Sequence, residues 1–208
     1  MPYTETDFLR DTDVSRETML DYQCWYQLLL KWNKKINLVS MSDLEDFWLR
    51  HALDCWQITQ LVPQTAKTYI DLGSGAGFPG IALAIAAKHR EDDYHITLVE
   101  SAGKKTSFLK AVIRELSLSA TATSQRAETI DSEIYNVISA RAFAPLHHLL
   151  NYAQPFWGND TIGLFLKGQN VDQELTLANK TWNYNVETAP SLSSSTGCIL
   201  KVTGLTPR

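Results

Sequence analysis

The chain has 208 residues, a formal net charge of −4 at pH 7, and 44% hydrophobic and 20% charged residues. These values fit one globular domain with a full core, and they argue against a protein that coats nucleic acid non-specifically. The three cysteines, Cys24, Cys55 and Cys198, are far apart and form no C-x-x-C, so we expect neither a disulfide framework nor a metal site. Because the N-terminus lacks a signal-peptide pattern and the longest apolar run is short, we expect a cytoplasmic protein without membrane contact.

The N-terminal part of the chain is predicted to be helical. The first residues are polar and predict a loose or short helical lead. Residues 15–38 carry apolar side chains at spacings of three and four, which is typical of one face of an amphipathic helix. Ser42 and Glu45 match a capping box for a second helix, which we expect to end at Pro63. We therefore expect residues 1–64 to form a helical extension packed on the core.

Strands and helices alternate through the rest of the chain, residues 65–208. Alternation of this kind predicts βαβ units, a mostly parallel sheet and one compact α/β domain. The last two strands have no helix pattern between them, so we expect an antiparallel hairpin at the edge of a seven-stranded sheet. Strands are predicted at residues 68–71, 95–100, 120–124, 135–140, 161–167, 182–187 and 197–202. Helices are predicted from the glycines to about residue 89 and at residues 103–116, 145–157 and 171–179.

A glycine-rich turn connects the first predicted strand to its helix, in the run Asp71-Leu-Gly-Ser-Gly-Ala-Gly-Phe-Pro-Gly80. Glycines permit positive φ and close approach of a ligand to the backbone, and the following helix aims free N–H groups at that ligand. Three interpretations are open. The run from Gly75 fits G-x-G-x-x-G, the dinucleotide fingerprint; the run from Asp71 resembles motif I of class I S-adenosylmethionine (AdoMet) methyltransferases; or the turn is only structural.

The position of the glycines favours the AdoMet interpretation. In the dinucleotide fingerprint the first glycine follows the strand directly. Here that glycine is Gly73, and the residue five positions later is Phe78, so the fingerprint fails in its natural register. The acid Asp71 before the glycines also suits a cationic amino-acid ligand better than a pyrophosphate.

Further candidates follow the second and third strands, because ligands of open α/β sheets bind beyond the carboxyl ends of the strands. Glu100 ends the second strand and can accept both hydroxyls of a ribose; the alternative is a surface acid that caps the next helix. Arg126, Ala127 and Glu128 follow the third strand, where an adenine ring would lie against the backbone of Ala127 and Glu128. The alternative for these three is a solvated charged turn.

The end of the fourth strand faces the transferred methyl group in methyltransferases, and here it carries Arg141. The Asn/Asp-Pro-Pro-aromatic motif of amino-methylating enzymes is absent, and no cysteine is close in sequence. Arginine cannot act as a base at neutral pH, but it can bind a phosphate, the cofactor carboxylate or guanine O6 and N7. The alternative is a structural ion pair. Lys167 supplies a cation at the fifth strand end, and a lone His51 is more often a packing residue than a catalyst.

Together these segments resemble one family, the bacterial ribosomal RNA small-subunit methyltransferase G, also called glucose-inhibited division protein B. The resemblance covers roughly residues 20–170. It rests on Trp32-Asn-Lys-Lys-Ile-Asn-Leu38, Arg50-His-Ala-Leu-Asp54, Asp71 to Gly80, Gly103-Lys-Lys-Thr-Ser-Phe-Leu109, Arg126-Ala-Glu128, Ser139-Ala-Arg-Ala-Phe143 and Leu166-Lys-Gly-Gln169.

The resemblance implies a class I, Rossmann-like enzyme that methylates guanine N7 in the decoding-region loop of 16S rRNA. Its cofactor would be AdoMet and its product S-adenosyl-L-homocysteine, its partner 16S rRNA or the small ribosomal subunit, and we expect a monomer. Guanine N7 carries no proton, so no general base is expected, and Arg141 would act by orientation or electrostatics. The alternative is an AdoMet-dependent methyltransferase of another RNA, a protein or a small molecule. Predicted cofactor contacts are Asp71, Gly73, Gly75, Gly77, Phe78, Glu100, Ala127, Glu128 and Arg141. RNA-binding candidates are Asn37, Arg50, His51, Arg126 and Lys167.

Overall fold

A computed structural model describes residues 2–90 and 93–208. Within them the chain forms one seven-stranded sheet in the order β3-β2-β1-β4-β5-β7-β6. The first five strands are parallel, and β7 runs antiparallel to both β5 and β6. The predicted α/β class, the mostly parallel sheet and the edge hairpin are confirmed. The strands are β1 (Thr68–Leu72), β2 (His95–Val99), β3 (Ala120–Thr123), β4 (Val137–Arg141), β5 (Ile162–Lys167), β6 (Trp182–Pro190) and β7 (Cys198–Pro207).

The strand order reverses between β1 and β4, which places a crevice beyond their carboxyl ends. The helices that connect the parallel strands follow the sequence prediction to within a few residues. The helices are α1 (Glu5–Thr12), α2 (Arg16–Asn33), α3 (Met41–Glu45), a π-helix (Phe47–Leu53), α4 (Asp54–Thr59), α5 (Gly80–Arg90), α6 (Gly103–Glu115), α7 (Leu146–Ala153) and α8 (Val171–Ala178).

The amphipathic helix α2 ends at Asn33, five residues before the predicted end at Leu38. The Asn33 side chain explains the difference, because its Oδ1 accepts hydrogen bonds from the N–H groups of Leu38 (2.8 Å) and Val39 (3.1 Å). Its Nδ2 also donates to the carbonyl of Val39 at 3.1 Å. These hydrogen bonds of Asn33 turn the chain back after the helix. Leu38 is buried although it lies outside the helix, which is why the apolar spacing in the sequence extends beyond the helix end.

The second predicted helix begins and continues differently from the prediction. Its N-cap is Ser40, not Ser42: the Ser40 Oγ accepts from the N–H of Asp43 at 3.1 Å. The helix is also interrupted, because Phe47–Leu53 forms a π-helix between α3 and α4. A π-helical turn within a helix changes which side chains share a helix face, and such turns are frequent at functional sites.

Buried apolar side chains pack on both faces of the sheet. Along β1, Tyr69 belongs to one core cluster, whereas Ile70 and Leu72 belong to the other, which is the period of two expected for a strand. The first cluster also contains Trp25 and Phe47 from the N-terminal helices. The boundary at residue 64 stays a prediction. None of the helices in the described ranges is both long and apolar enough to span a membrane.

Candidate functional site

The glycine turn after β1 has the backbone conformation that its sequence predicts. Gly73, Gly75 and Gly77 have φ values of +70°, +56° and +96°, a region that side chains with a Cβ rarely adopt. The N–H of Gly77 donates to the carbonyl of Ser74 at 2.7 Å, which closes the turn ahead of α5. At Gly80 a Cβ would lie 2.8 Å from Asp71 Oδ2, so only glycine lets α5 approach β1 this closely.

A cavity of about 610 Å³ lies above this turn, at the carboxyl ends of β1, β2 and β4. Most predicted site residues are brought together here, from segments far apart in sequence. Its wall includes the predicted residues Gly73, Gly75, Phe78, Glu100, Ala127, Glu128, Arg141, Arg50, His51 and Arg126. Four predicted residues lie outside this wall: Asp71 and Gly77 are buried, Asn37 is exposed, and Lys167 lines a neighbouring cavity. The individual contacts to cofactor and RNA stay predictions.

Asp71 supports the turn from below. Its side chain is fully buried, and Oδ1 accepts a hydrogen bond from Ser139 Oγ at 2.6 Å, which ties β1 to β4. Oδ2 has no hydrogen-bond partner among the described residues. Burial raises the pKa of Asp71 to about 6, although the hydrogen bond from Ser139 opposes the shift.

Glu100 is fixed against the turn by two backbone amides. Its Oε2 accepts from the N–H of Gly75 at 3.0 Å and its Oε1 accepts from the N–H of Ala102 at 2.8 Å. Each carboxylate oxygen can accept further hydrogen bonds, so the group can still bind the two hydroxyls of a ribose. The alternative role suggested by the sequence, contact with the start of α6, is also present, because Ala102 precedes that helix.

The π-helix brings His51 to the cavity wall, where its ring stacks on Phe78 with centroids 4.2 Å apart and an angle of 10°. The Arg141 guanidinium lies 5.5 Å from the centroid of the same Phe78 ring. His51 is buried, and neither ring nitrogen has a partner among the described residues. Burial, with help from the Arg141 charge, lowers the pKa of His51 to about 3, so the imidazole is neutral at physiological pH.

The structure brings a cysteine to Arg141, which the sequence did not suggest. Cys55, 86 residues earlier in the chain, has its Sγ 3.9 Å from Arg141 Nη1. Cys55 is fully buried, and burial raises the pKa of its thiol to about 12 even though Arg141 opposes the shift. The thiol is therefore protonated and enclosed, unlike an activated nucleophile.

A second cavity of about 520 Å³ adjoins the first and shares Arg50, Arg141, Ala142 and Phe143 with it. Lys167, the remaining RNA-binding candidate, lies in the wall of this second cavity.

The polar turn between β6 and β7 forms the opposite wall of the second cavity, through Ser191, Ser193 and Ser194. This turn is held against the N-terminal helices: Gln57 Nε2 donates to the carbonyl of Pro190 at 2.7 Å, and Ser191 Oγ donates to Asp54 Oδ1 at 2.7 Å.

Sequence reasoning missed several wall residues that have no motif of their own. Leu38 and Val39 reach the first cavity because Asn33 turns the chain, and Asp43, Phe143 and Tyr152 reach it through packing. Within the described residues, no group of three or more histidine, cysteine, aspartate or glutamate side chains could hold a metal ion.

Comparison with known proteins gives a consistent family. The family model described as rRNA small subunit methyltransferase G matches residues 18–198. A "Ribosomal RNA small subunit methyltransferase G" of Parvibaculum lavamentivorans is 46% identical over 196 residues, 93% of this chain and 86% of the relative. The protein of the same name from Hyphomonas neptunium is 42% identical over 193 residues, 93% of this chain and 91% of the relative.

Solved structures show the same fold at low sequence identity. A TehB-like SAM-dependent methyltransferase from Corynebacterium glutamicum superposes with a TM-score of 0.54 at 14% identity, covering 72% of this chain and 86% of that one. TYW2 of M. jannaschii, solved in complex with AdoMet, superposes with a TM-score of 0.55 at 10% identity, covering 84% of this chain and 80% of that one. The fold is that of class I AdoMet-dependent methyltransferases.

Proposed function

The chain belongs to the rRNA small subunit methyltransferase G family, an AdoMet-dependent rRNA methyltransferase family, and we propose that it methylates N7 of a guanine in the decoding-region loop of 16S rRNA. In this reaction the lone pair of guanine N7 attacks the methyl carbon in line as the carbon–sulfur bond breaks. The products are a cationic N7-methylguanine and S-adenosyl-L-homocysteine, and no proton is transferred.

The residues of the first cavity fit AdoMet, which supplies an electrophilic methyl group when bound. The left-handed glycines 73 and 75 leave the turn without side chains, so a ligand can approach its backbone. Glu100 would accept the ribose hydroxyls, and the backbone of Ala127 and Glu128 would contact the adenine edge. Asp71 would act from below, by holding the turn and contributing negative charge beneath a cationic ligand.

The observation that supports N7 as the target is the chemistry around Arg141. Two groups near Arg141 that could have served as base or nucleophile are His51, whose pKa is lowered to about 3, and Cys55, whose pKa is raised to about 12. An imidazole with so low a pKa is a poor proton acceptor, and a buried thiol is a poor nucleophile. N7 needs neither, and orientation of the reacting atoms can supply about 7–11 kcal/mol in favourable cases.

We propose that the second cavity receives the target nucleotide, with Arg141 at the boundary between the two cavities. Arg50 and Arg126 are exposed at the rim of the first cavity and would contact phosphates. Residues 1–64 would then act as an extension that completes the wall, since they contribute Arg50 and His51. Because one chain lines both cavities, we propose a monomer, acting in the cytoplasm, where ribosomal subunits are found.

Single-turnover methylation of 16S rRNA at saturating AdoMet tests the absence of a base and a nucleophile. The rate should be flat between pH 7 and 9, and Cys55→Ser should retain it to within about threefold because the thiol takes no part. A rate that rises tenfold per pH unit, or a Cys55→Ser variant without activity and with intact AdoMet binding, would contradict the mechanism.

A further inference from the structure

The short segment 142–145, between β4 and α7, contributes to the walls of both cavities. Ala142 has φ +51°, a left-handed conformation that is unfavourable for a residue with a Cβ. The Phe143 ring packs directly on Gly73, so closely that a Cβ at Gly73 would clash with it. The segment therefore connects Arg141 to the cofactor turn, and its conformation needs support from its surroundings.

That support comes from one ion pair on neighbouring elements. Lys167, at the end of β5, donates from Nζ to the carbonyl of Ala144 at 2.7 Å and to Glu174 Oε2 at 2.8 Å. Glu174, on α8, accepts from the backbone N–H of Leu146 at 2.7 Å with the same oxygen. The pair therefore binds the end of the segment at two points. These are the carbonyl of Ala144, just before Pro145, and the N–H of Leu146, the first residue of α7.

We propose that Lys167 and Glu174 form a latch that positions segment 142–145, and with it Arg141 and Phe143, for methyl transfer. Both are positioning residues, and Lys167 acts through the latch instead of contacting RNA. The inference deepens the proposed rRNA methylation and rests on it.

Three observations favour a latch over an RNA contact. The Lys167 side chain is only 8% exposed, whereas the rim arginine Arg50 is 56% exposed. Two of the three Nζ donors already have protein acceptors. The carboxylate of Glu174, 22% exposed in the same cavity wall, offsets the lysine charge that a phosphate would need.

The latch explains how residues without substrate contact can affect the rate. In-line transfer depends on alignment of the reacting atoms, and a displacement of about 1 Å can cost on the order of 100-fold in rate. If either partner is removed, the other is left buried without its counter-charge, and the left-handed Ala142 can relax. The loss should appear in kcat, while binding of AdoMet at the glycine turn should change little.

The test compares Glu174→Ala, Glu174→Gln, Lys167→Met and Lys167→Arg in the full-length chain, with thermal unfolding as the folding control. The matched control is Lys201→Ala, which breaks the exposed Lys201–Glu187 pair (3.3 Å) on β7 and β6, away from segment 142–145. Kinetics on 16S rRNA and calorimetric AdoMet titration are measured for each variant.

Glu174→Ala and Lys167→Met should each lower kcat by about tenfold or more, with the Kd for AdoMet and the KM for rRNA within about threefold of the unchanged chain. A chain that combines Lys167→Met with Glu174→Ala should have a kcat no lower than either single variant, because each substitution removes the same latch. Lys167→Arg and Glu174→Gln should recover part of kcat, and Lys201→Ala should match the unchanged chain.

Two results would overturn the latch. If Lys167→Met raises the KM for rRNA with kcat unchanged, while Glu174→Ala leaves the KM equal or lower, Lys167 contacts RNA directly. If both variants behave like Lys201→Ala, the pair has no part in the reaction.

Amide hydrogen exchange separates failure of the latch from failure of the proposed function. Exchange in residues 142–149 should increase at least about tenfold in Glu174→Ala, whatever substrate the enzyme methylates. If the chain without substitutions does not methylate 16S rRNA, only the proposed function is refuted. If amide exchange in residues 142–149 is the same in every latch variant as in that chain, only the latch is refuted.

Discussion

Acidification should destabilise the protein through His51. The ring is buried and neutral, and neither nitrogen has a partner among the described residues that could accept a proton from the imidazolium. Its pKa is lowered from 6.5 to about 3 in the folded chain. The stability that His51 contributes is therefore complete above pH 6.5 and is lost as the pH falls towards 3, because the unfolded chain binds the proton first.

The size of the effect follows from the two pKa values. At pH 5, 1.5 units below the ordinary pKa of 6.5, the loss is about 2 kcal/mol in the free energy of unfolding. Asp71 has the opposite sign, because its pKa is raised from 3.8 to about 6, so its contribution to the free energy of unfolding rises by about 1.4 kcal/mol between pH 7.5 and pH 5. In the unchanged chain the two contributions largely cancel.

The variant His51→Phe separates the two contributions, because it removes the histidine and keeps Asp71. On lowering the pH from 7.5 to 5, the free energy of unfolding of His51→Phe should rise by about 2 kcal/mol relative to that of the unchanged chain. Urea denaturation at both pH values measures the difference. The control is the same comparison between pH 7.5 and 8.5, where His51 is neutral in the folded and the unfolded chain and the difference should stay constant. A His51→Phe difference that is independent of pH would refute a buried neutral His51.

Three substitutions test the turn itself. Gly75→Val forces a β-branched residue to φ +56° in the cavity wall and should raise the Kd for AdoMet at least about tenfold in calorimetry; retained affinity would contradict this location of the site. Glu100→Gln replaces one charge-assisted acceptor, worth about 1.5–3 kcal/mol, and should weaken AdoMet binding by roughly 10- to 100-fold. Binding of a 2′-deoxyribose analogue of AdoMet should be weakened less, and equal losses for the two ligands would exclude a ribose contact. Gly80→Ala places a Cβ against the Leu98 side chain, its nearest neighbour, and 2.8 Å from Asp71 Oδ2, and it should cost about 1–3 kcal/mol in urea denaturation. Gly103→Ala, with its nearest contact at 3.7 Å, should cost less than about 1 kcal/mol.

The local patterns of the sequence predicted the sheet, because each strand and helix carries its own periodicity and the glycines mark the turn. The edge hairpin follows from the missing helix pattern before β7, whereas the strand order was not predicted, because the crossover rule fixes the hand of each connection and not which strands are neighbours. The ends of the N-terminal helices could not be predicted in the same way. Asn33 and Ser40 end and begin helices by specific side-chain hydrogen bonds, and neighbouring residues such as Ser42 offer equally plausible caps.

The candidate site was predictable where the glycine turn or a strand end identifies it, and Arg50 and His51 were included through the family resemblance. Glu100 and Arg141 follow strands and were found from their position. Cys55 and Glu174 approach the same region from helices, and their contacts join residues 86 and 28 positions apart, for which no spacing rule exists. The π-helix that presents His51 likewise has no signal in the apolar pattern of its helix.

Mapping of the transferred methyl group tests the central proposal most directly. The full-length chain would be incubated with methyl-labelled AdoMet and either naked 16S rRNA or small ribosomal subunits lacking the modification. The proposal predicts one labelled N7-methylguanine in the decoding-region loop, recognised by alkali-labile cleavage at that nucleotide. Label on adenine, on cytosine or on ribosomal protein, in place of that guanine, would contradict it.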